Sequence, residues 1–188
     1  MSQNEAGMYA GLLMADMGAE VIKVEPLNGD SLRQNDSYRL YNRGKKSITV
    51  DLSNKEDAKT FDELIKKSDV FIQTYLIKEA ESAFLDFDTI ASKNESLIYC
   101  SIPPYGDNGP LRNVRGDDGT IAAYTGIYEG QGGETSNPLF VQLPLVSYGT
   151  AFTAGLSIAA ALYERAHSGK GQKVEIPMYA GSVAMQAT

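Results

Sequence analysis

Five short runs rich in apolar and β-branched residues, at 20–25, 47–52, 69–74, 97–102 and 172–176, constrain this chain more than any other feature. The runs at 69–74 and 97–102 are apolar almost throughout, the pattern of a strand covered on both faces. Segments of helical period separate the runs. Over residues 8–17, Ala10, Leu13, Met14 and Met17 recur at helical spacing, and Gly18 supplies a stop. Next, Ser53 and Glu56 have capping-box spacing, Ala58, Phe61, Leu64 and Ile65 form an apolar stripe, and Lys66 and Lys67 favour the helix C-terminus. Further helices are expected at 86–93, 119–128, 147–167 and from 177 onward. Strands alternating with helices predict an α/β fold: a doubly wound, mostly parallel sheet with helices on both faces.

Of the 188 residues 43% are hydrophobic, enough for a sizeable core without covalent staples. The 17 Lys and Arg against 24 Asp and Glu give a net charge of −7, and the basic residues are scattered. That excludes the basic footprint of a nucleic-acid binder, so an anionic ligand must be held locally. Cys100 lies in the apolar run 97–100 and reads as a small buried hydrophobe rather than a nucleophile. The single histidine, His167, closes a helical stretch, so neither a His/Cys metal cluster nor a Ser-His-Asp triad can be assembled from these residues. Residues 1–7 have no basic-then-apolar leader, and no run reaches the ~20 apolar residues of a membrane span. A cytoplasmic protein without a membrane partner is the expectation.

Ligands of doubly wound sheets sit beyond the carboxyl ends of the strands. Residues 26–45, 75–80, 103–118 and 130–137 are therefore the loops where chemistry is expected. The first is polar, holds Asn28-Gly29-Asp30 and runs into Asn42-Arg43-Gly44-Lys45-Lys46, and is too long to be a mere connector. There is no G-x-G-x-x-G and no P-loop, and Gly169-Lys170-Gly171 precedes a strand, where it reads as a helix stop.

Several motifs are more telling together than singly. Ala15-Asp16-Met17-Gly18-Ala19-Glu20-Val21-Ile22-Lys23-Val24-Glu25-Pro26 is followed by Gly29-Asp30, then Asn42-Arg43-Gly44-Lys45-Lys46-Ser47-Ile48 and Asp51-Leu52. Asp69-Val70, Tyr105-Gly106, Asn108-Gly109-Pro110 and Ser168-Gly169-Lys170-Gly171-Gln172-Lys173-Val174-Glu175-Ile176 continue the series. In order and approximate spacing they resemble the N-terminal half of the class III CoA-transferases, the CaiB/BaiF family. The resemblance implies a Rossmann-like sheet, with residues 1–188 forming the N-terminal part of the large domain. On the same ground the opening strand and the C-terminal half, with its smaller second domain, are expected to lie outside this sequence, and the parent protein is expected to form an interlocked homodimer.

The resemblance also implies a reaction: coenzyme A moves from an acyl-CoA donor to a carboxylic acid acceptor, with CoA as substrate and no tightly bound cofactor. The family's nucleophile is an Asp in a segment matching Val114-Arg115-Gly116-Asp117-Asp118-Gly119, which places it at Asp118, with Asp117 one residue away. Attack by a carboxylate on a thioester gives a mixed anhydride and then an aspartyl-CoA thioester. By the same likeness Arg33, Arg43 and Lys45 approach the CoA phosphates, Gln73, Thr74 and Tyr75 form a wall over the CoA arm, and Tyr105 lies in the next strand-end loop. Departures are visible: Leu76-Ile77-Lys78 replaces Arg-Pro-Gly, leaving Lys78 to take over a phosphate contact, Ser82 replaces an Arg, Pro103-Pro104 replaces a Gly-containing pair, and Glu5 replaces Gln.

Two other functions fit parts of the pattern. Acyl-CoA racemases of the same family pair a His with the Asp, whereas Asp117 precedes Asp118 here. A nucleotide-binding α/β module without chemistry would use the same loops.

Overall fold

The computed structural model describes residues 1–132 and 137–186. Helix α1 (Glu5–Asp16) leads into strand β1 (Ile22–Glu25), and a 3-10 turn at Ser31–Gln34 and helix α2 (Asp36–Tyr41) connect β1 to β2 (Lys46–Thr49). Then come α3 (Lys55–Lys67), β3 (Val70–Gln73), α4 (Ile77–Ser82), α5 (Phe87–Ala91) and β4 (Ile98–Ser101). Helices α6 (Asp118–Tyr124), α7 (Ile127–Gly132) and α8 (Leu145–Ser168) precede β5 (Gln172–Glu175) and α9 (Met178–Gln186).

The fold is α/β, and every strand pairing among the described residues is parallel. β1 pairs with β2, and β3, β4 and β5 pair in that order, so the expected sheet is present as two ladders. Residues 1–3 run between them. The Met1 amino group donates to Ile72 O at 2.8 Å, Gln3 N–H donates to Thr74 Oγ1 at 2.8 Å, and Lys23 Nζ reaches Ser2 O at 3.4 Å.

Side-chain alternation along β4 divides the core. Cys100 and Ile102 face Ala6 and Ala10 of α1, Val146, Ala154 and Ile158 of α8, and Met178 of α9. Leu97 and Tyr99 face the opposite side, with Phe61 and Ile65 of α3 and Ile90 of α5. The three-stranded ladder is thus covered on both faces, as its apolar strands require. Cys100 is buried, and desolvation pushes its thiol up to about 12, so it is an inert core residue. Small residues let α8 and α9 approach closely, because a Cβ on Gly181 would lie 2.4 Å from Thr150 Oγ1.

Local differences from the sequence reading have physical causes. The cap of α3 is Asn54, which accepts from Glu56 N–H and Asp57 N–H, while Ser53 is engaged by Asp51, so the helix starts one residue later. The supposed loop at 75–80 enters α4, and residues 26–45 contain a helix rather than only coil. The helix expected at 119–128 breaks at Gly126, whose φ of +84° is left-handed. Of the loop expected at 130–137, residues 130–132 belong to α7 and 133–136 lie outside the described residues. Helix α8 ends as read, at Gly169 with φ +72°.

Contrary to the composition reading, α8 is long and apolar enough to cross a membrane by those criteria alone, with 24 residues and a mean hydropathy of 1.5 over its most apolar window. Half of that window is buried, packed against α1 and α9. Its uncovered side carries Phe152 (58% exposed), Leu156 (74%) and Tyr163 (71%), the exposed apolar surface expected if further polypeptide packs on this domain.

Gly171 opens β5 where the chain crosses Leu97, and a Cβ there would sit 2.1 Å from Leu97 O. Backbone cannot yield as a flexible side chain does. Gly171→Ala is expected to destabilise the protein by about 1–3 kcal/mol or more, read as a lowered urea midpoint at unchanged slope.

Candidate active site

The carboxyl end of β1 carries a buried acid that organises the loop beyond it. Glu25 is 1% exposed and accepts from Arg33 Nε at 2.7 Å, Tyr38 OH at 2.6 Å, Asp30 N–H at 2.9 Å and Ser47 Oγ at 3.2 Å. Burial alone would raise its pKa, but the hydrogen bonds from Arg33, Tyr38 and Asp30 outweigh it and hold the carboxyl at about 2. Gly29, with φ +77°, makes the turn that lets Asp30 reach back, and Asp30 in turn pairs with Lys23 at 2.6 Å. Arg33 uses Nε on Glu25 and stacks over the Tyr38 ring, leaving its side chain about half exposed.

Tyr75 joins this loop across a cavity of about 130 Å³, lined also by Gln3, Glu25, Gly29 and Ser31. The strand-end residues Gln73 and Thr74 are buried beside it. Gln73 donates to Ser101 Oγ at 2.8 Å and accepts from Tyr75 N–H, while Thr74 accepts from Gln3 N–H and packs under Gly7 of α1. Their side chains therefore shape the wall through Tyr75 rather than offering free polar atoms. Lys78 is exposed in the first turn of α4 and pairs with no carboxylate among the described residues. An Arg115–Glu79 ion pair ties the 103–118 loop to α4, and Tyr105 packs edge-on to Tyr124 with Gly116 against its ring.

Arg43 and Lys45, both expected at the CoA phosphates, are held by partners within the protein. Arg43 is paired with Asp16 at 2.5 Å on the surface. Lys45 turns inward, donating to Met8 O at 2.6 Å and Asn42 Oδ1 at 3.1 Å over Gly11 of α1. Desolvation, helped by the like charge of Lys23, lowers its pKa to about 7.

The two adjacent acids separate in role. Asp117 is the N-cap of α6, accepting from Thr120 N–H at 2.8 Å and Thr120 Oγ1 at 2.7 Å, which lowers its pKa. Asp118 is instead the first residue inside α6, and its carboxylate crosses to the start of α8. Val146 N–H donates to Oδ1 and Ser147 N–H to Oδ2, each at 2.9 Å. Pro144, at the N-cap of α8, supplies no side-chain acceptor, so Asp118 satisfies two of that helix's orphan donors. The amides that hold the Asp118 carboxylate thus belong to α8 and not to its own helix. Burial raises the Asp118 pKa, against the lowering effect of the Ser147 hydroxyl and the two amides.

Three tyrosines near this carboxylate carried no sequence signal. Tyr41, the last residue of α2, donates to Tyr148 OH at 3.2 Å, and Tyr9 packs 5.7 Å and 5.3 Å from their rings. Nothing local marks them, because the pair is separated by 107 positions. His167 closes α8 at its far end, about 20 residues or about 30 Å from Ser147, so among the described residues no histidine accompanies Asp118.

Fold and site define a parallel α/β domain with a strand-end crevice behind β1 and β3 and a carboxylate seated on a long helix's N-terminus. The chain matches CoA-transferase family III over residues 1–188. It is 33% identical over 197 residues to a probable fatty acyl-CoA transferase of Mycobacterium tuberculosis, covering 99% of this chain and 50% of that protein. It is 31% identical over 189 residues to human succinyl-CoA:glutarate CoA-transferase, covering 95% and 43% respectively. A crystal structure of a CaiB/BaiF family protein from Brucella suis superposes with a TM-score of 0.91 at 29% identity, covering 99% of this chain and 53% of that one. The chain belongs to CoA-transferase family III and spans about half the length of the relatives it matches.

Lys45 makes a testable contribution to stability. Because its pKa falls from 10.5 to about 7 on folding, the native state binds fewer protons than the unfolded chain between those values. Stability therefore rises with pH across that window, and below it the desolvation penalty is fully present. The urea midpoint is expected to climb from pH 7 toward about pH 9 and to climb less in Lys45→Met.

Proposed function

We propose that the protein carrying this chain transfers coenzyme A from an acyl-CoA to a carboxylic acid, with Asp118 as the carboxylate through which the exchange passes. The observation that carries this reading is the seating of Asp118 across the α8 N-terminus, where two amides and the helix dipole stabilise an anion. Each carboxylate oxygen has about two lone-pair sites and spends one, so nucleophilic capacity remains. An Asp118 oxygen attacks the thioester carbonyl, the C–S bond breaks, and CoA leaves as thiolate. The thiolate then attacks the aspartyl carbonyl of the mixed anhydride and releases the donor acid. The acceptor carboxylate then attacks the aspartyl-CoA carbonyl and expels the thiolate, which attacks the acceptor's acyl carbonyl in the new anhydride, giving the product acyl-CoA and free Asp118, so the thioester bond is conserved.

Relatives named for transferring CoA to glutarate and to mesaconate support carboxylic acids as acceptors. Arg33, in the loop across the cavity from Tyr75, and Lys78, exposed in the first turn of α4, are assigned to the CoA phosphates, and Tyr75 and Tyr105 to the walls of its arm. The uncovered α8 face of Phe152, Leu156 and Tyr163 is assigned to the homodimer.

One observation favours a second role for Asp118. Both of its oxygens hold amides of a helix that lacks its own cap, which would make it the anchor of α8, with the nucleophile supplied by another carboxylate. In either role Asp118→Asn is expected to lower transfer on the order of 100-fold or more. Hydroxylamine trapping after incubation with succinyl-CoA separates them: a hydroxamate mapped to Asp118 supports the nucleophile, and one mapped elsewhere assigns it the anchoring role. Absence of CoA transfer with any acyl-CoA and acid pair would overturn the function itself.

A further inference from the structure

We propose that Tyr148 is a catalytic residue, donating its phenol hydrogen to the carbonyl oxygen of the reacting thioester, and that Tyr41 is the positioning residue that aims it. The inference rests on the transfer reading above and assigns a new donor to that site. Tyr148 follows directly on Val146 and Ser147, whose amides hold the Asp118 carboxylate, so the phenol is carried by the same first turn of α8.

The hydrogen bond between the two phenols has a direction. Tyr41 OH donates to Tyr148 OH at 3.2 Å, which uses the Tyr41 proton and leaves the Tyr148 proton without an acceptor among the described residues. Tyr148 is half-buried, so its unused donor is open to a ligand, whereas Tyr41 is 3% exposed and closed to one. Accepting from Tyr41 polarises the Tyr148 O–H and strengthens it as a donor. The rings cannot drift: Tyr9 packs against both, and Phe152 stacks edge-on to Tyr9 from the next turn of α8.

The electrostatics select the ligand. Burial, the Tyr148 contact and the charges of Glu5 and Asp118 all raise the Tyr41 phenol, so it keeps the proton it donates to Tyr148. Two carboxylates in this neighbourhood disfavour a resident anion, while a neutral carbonyl oxygen is tolerated in the ground state. That oxygen gains charge only as a nucleophile attacks the carbonyl carbon, and the O–H bond to it tightens at that moment. A fixed donor of this kind acts on the transition state more than on binding.

The test uses the whole protein with succinyl-CoA and glutarate as the probe pair. Tyr148→Phe is expected to lower kcat on the order of 10-fold to 100-fold with KM for succinyl-CoA changed less than about 3-fold. Tyr41→Phe should lower kcat by a smaller factor, and adding it to Tyr148→Phe should change nothing further, because it acts through Tyr148. Thermal melting of each variant guards against misfolding, since a packing defect would move stability and KM together. If Tyr148→Phe keeps the parental kcat while Asp118→Asn loses it, the tyrosine assignment falls and the transfer reading stands. If the parent protein neither transfers CoA nor releases it from succinyl-CoA in a single turnover, both fall.

Discussion

Much of the placement of this molecule's loops traces to one buried carboxylate. Glu25, at the carboxyl end of β1, would be prohibitively costly in an apolar interior without partners, and it persists because four donors converge on it. Those donors come from four places: the turn at Asp30, the 3-10 turn at Arg33, helix α2 at Tyr38 and strand β2 at Ser47. Satisfying one acid therefore folds the whole connection between β1 and β2. Breaking one side of such a buried arrangement costs about 3–5 kcal/mol, which is why a polar segment of this length holds one conformation. The consequence reaches further. Once Tyr38 fixes α2, Tyr41 at the end of that helix is delivered to Tyr148, and the β1–β2 half of the domain meets the start of α8.

That meeting point is governed by unsatisfied backbone. A helix of 24 residues beginning at a proline presents free amides and a positive dipole end, and nothing local neutralises them. Asp118 does so from another helix, which also locks α6 to α8. The cost is desolvation, and burial wins over the donors in the direction of the Asp118 pKa, while neighbouring Asp117, exposed and capping its own helix, shifts the other way. Two consecutive carboxylates thus acquire different acidities from their surroundings alone, as acid and base roles are usually separated in a site.

The parallel α/β architecture was legible because each strand run and each helical stripe is a local pattern, and the chain need only be read a few residues at a time. Family likeness placed Arg33, Tyr75 and Asp118 in regions that the structure shows to be strand-end and helix-end positions. What was not legible depended on distance or on single-residue competition. The cap of α3 moved from Ser53 to Asn54 because adjacent residues compete for the same amides. The placement of α2 in a supposed coil follows from the Glu25 contacts, of which only Asp30 and Arg33 lie within ten residues. Tyr41 with Tyr148, and Asp118 with Val146, are pairs that no window of the sequence contains.

Arg33 and Lys45, two of the basic residues of the β1–β2 connection, show how side-chain chemistry then divides labour that sequence position leaves equal. Arg33 carries five donors in a planar fork, so it can give Nε to Glu25 and still present terminal nitrogens outward. Lys45 has one compact ammonium, and the opening over Gly11 admits it against the Met8 carbonyl, where no anion compensates and the amine drifts toward neutrality. A phosphate needs a permanent charge in solvent reach. Arg33 keeps its charge in solvent reach, and Lys45 joins the loop to α1 through the Met8 carbonyl.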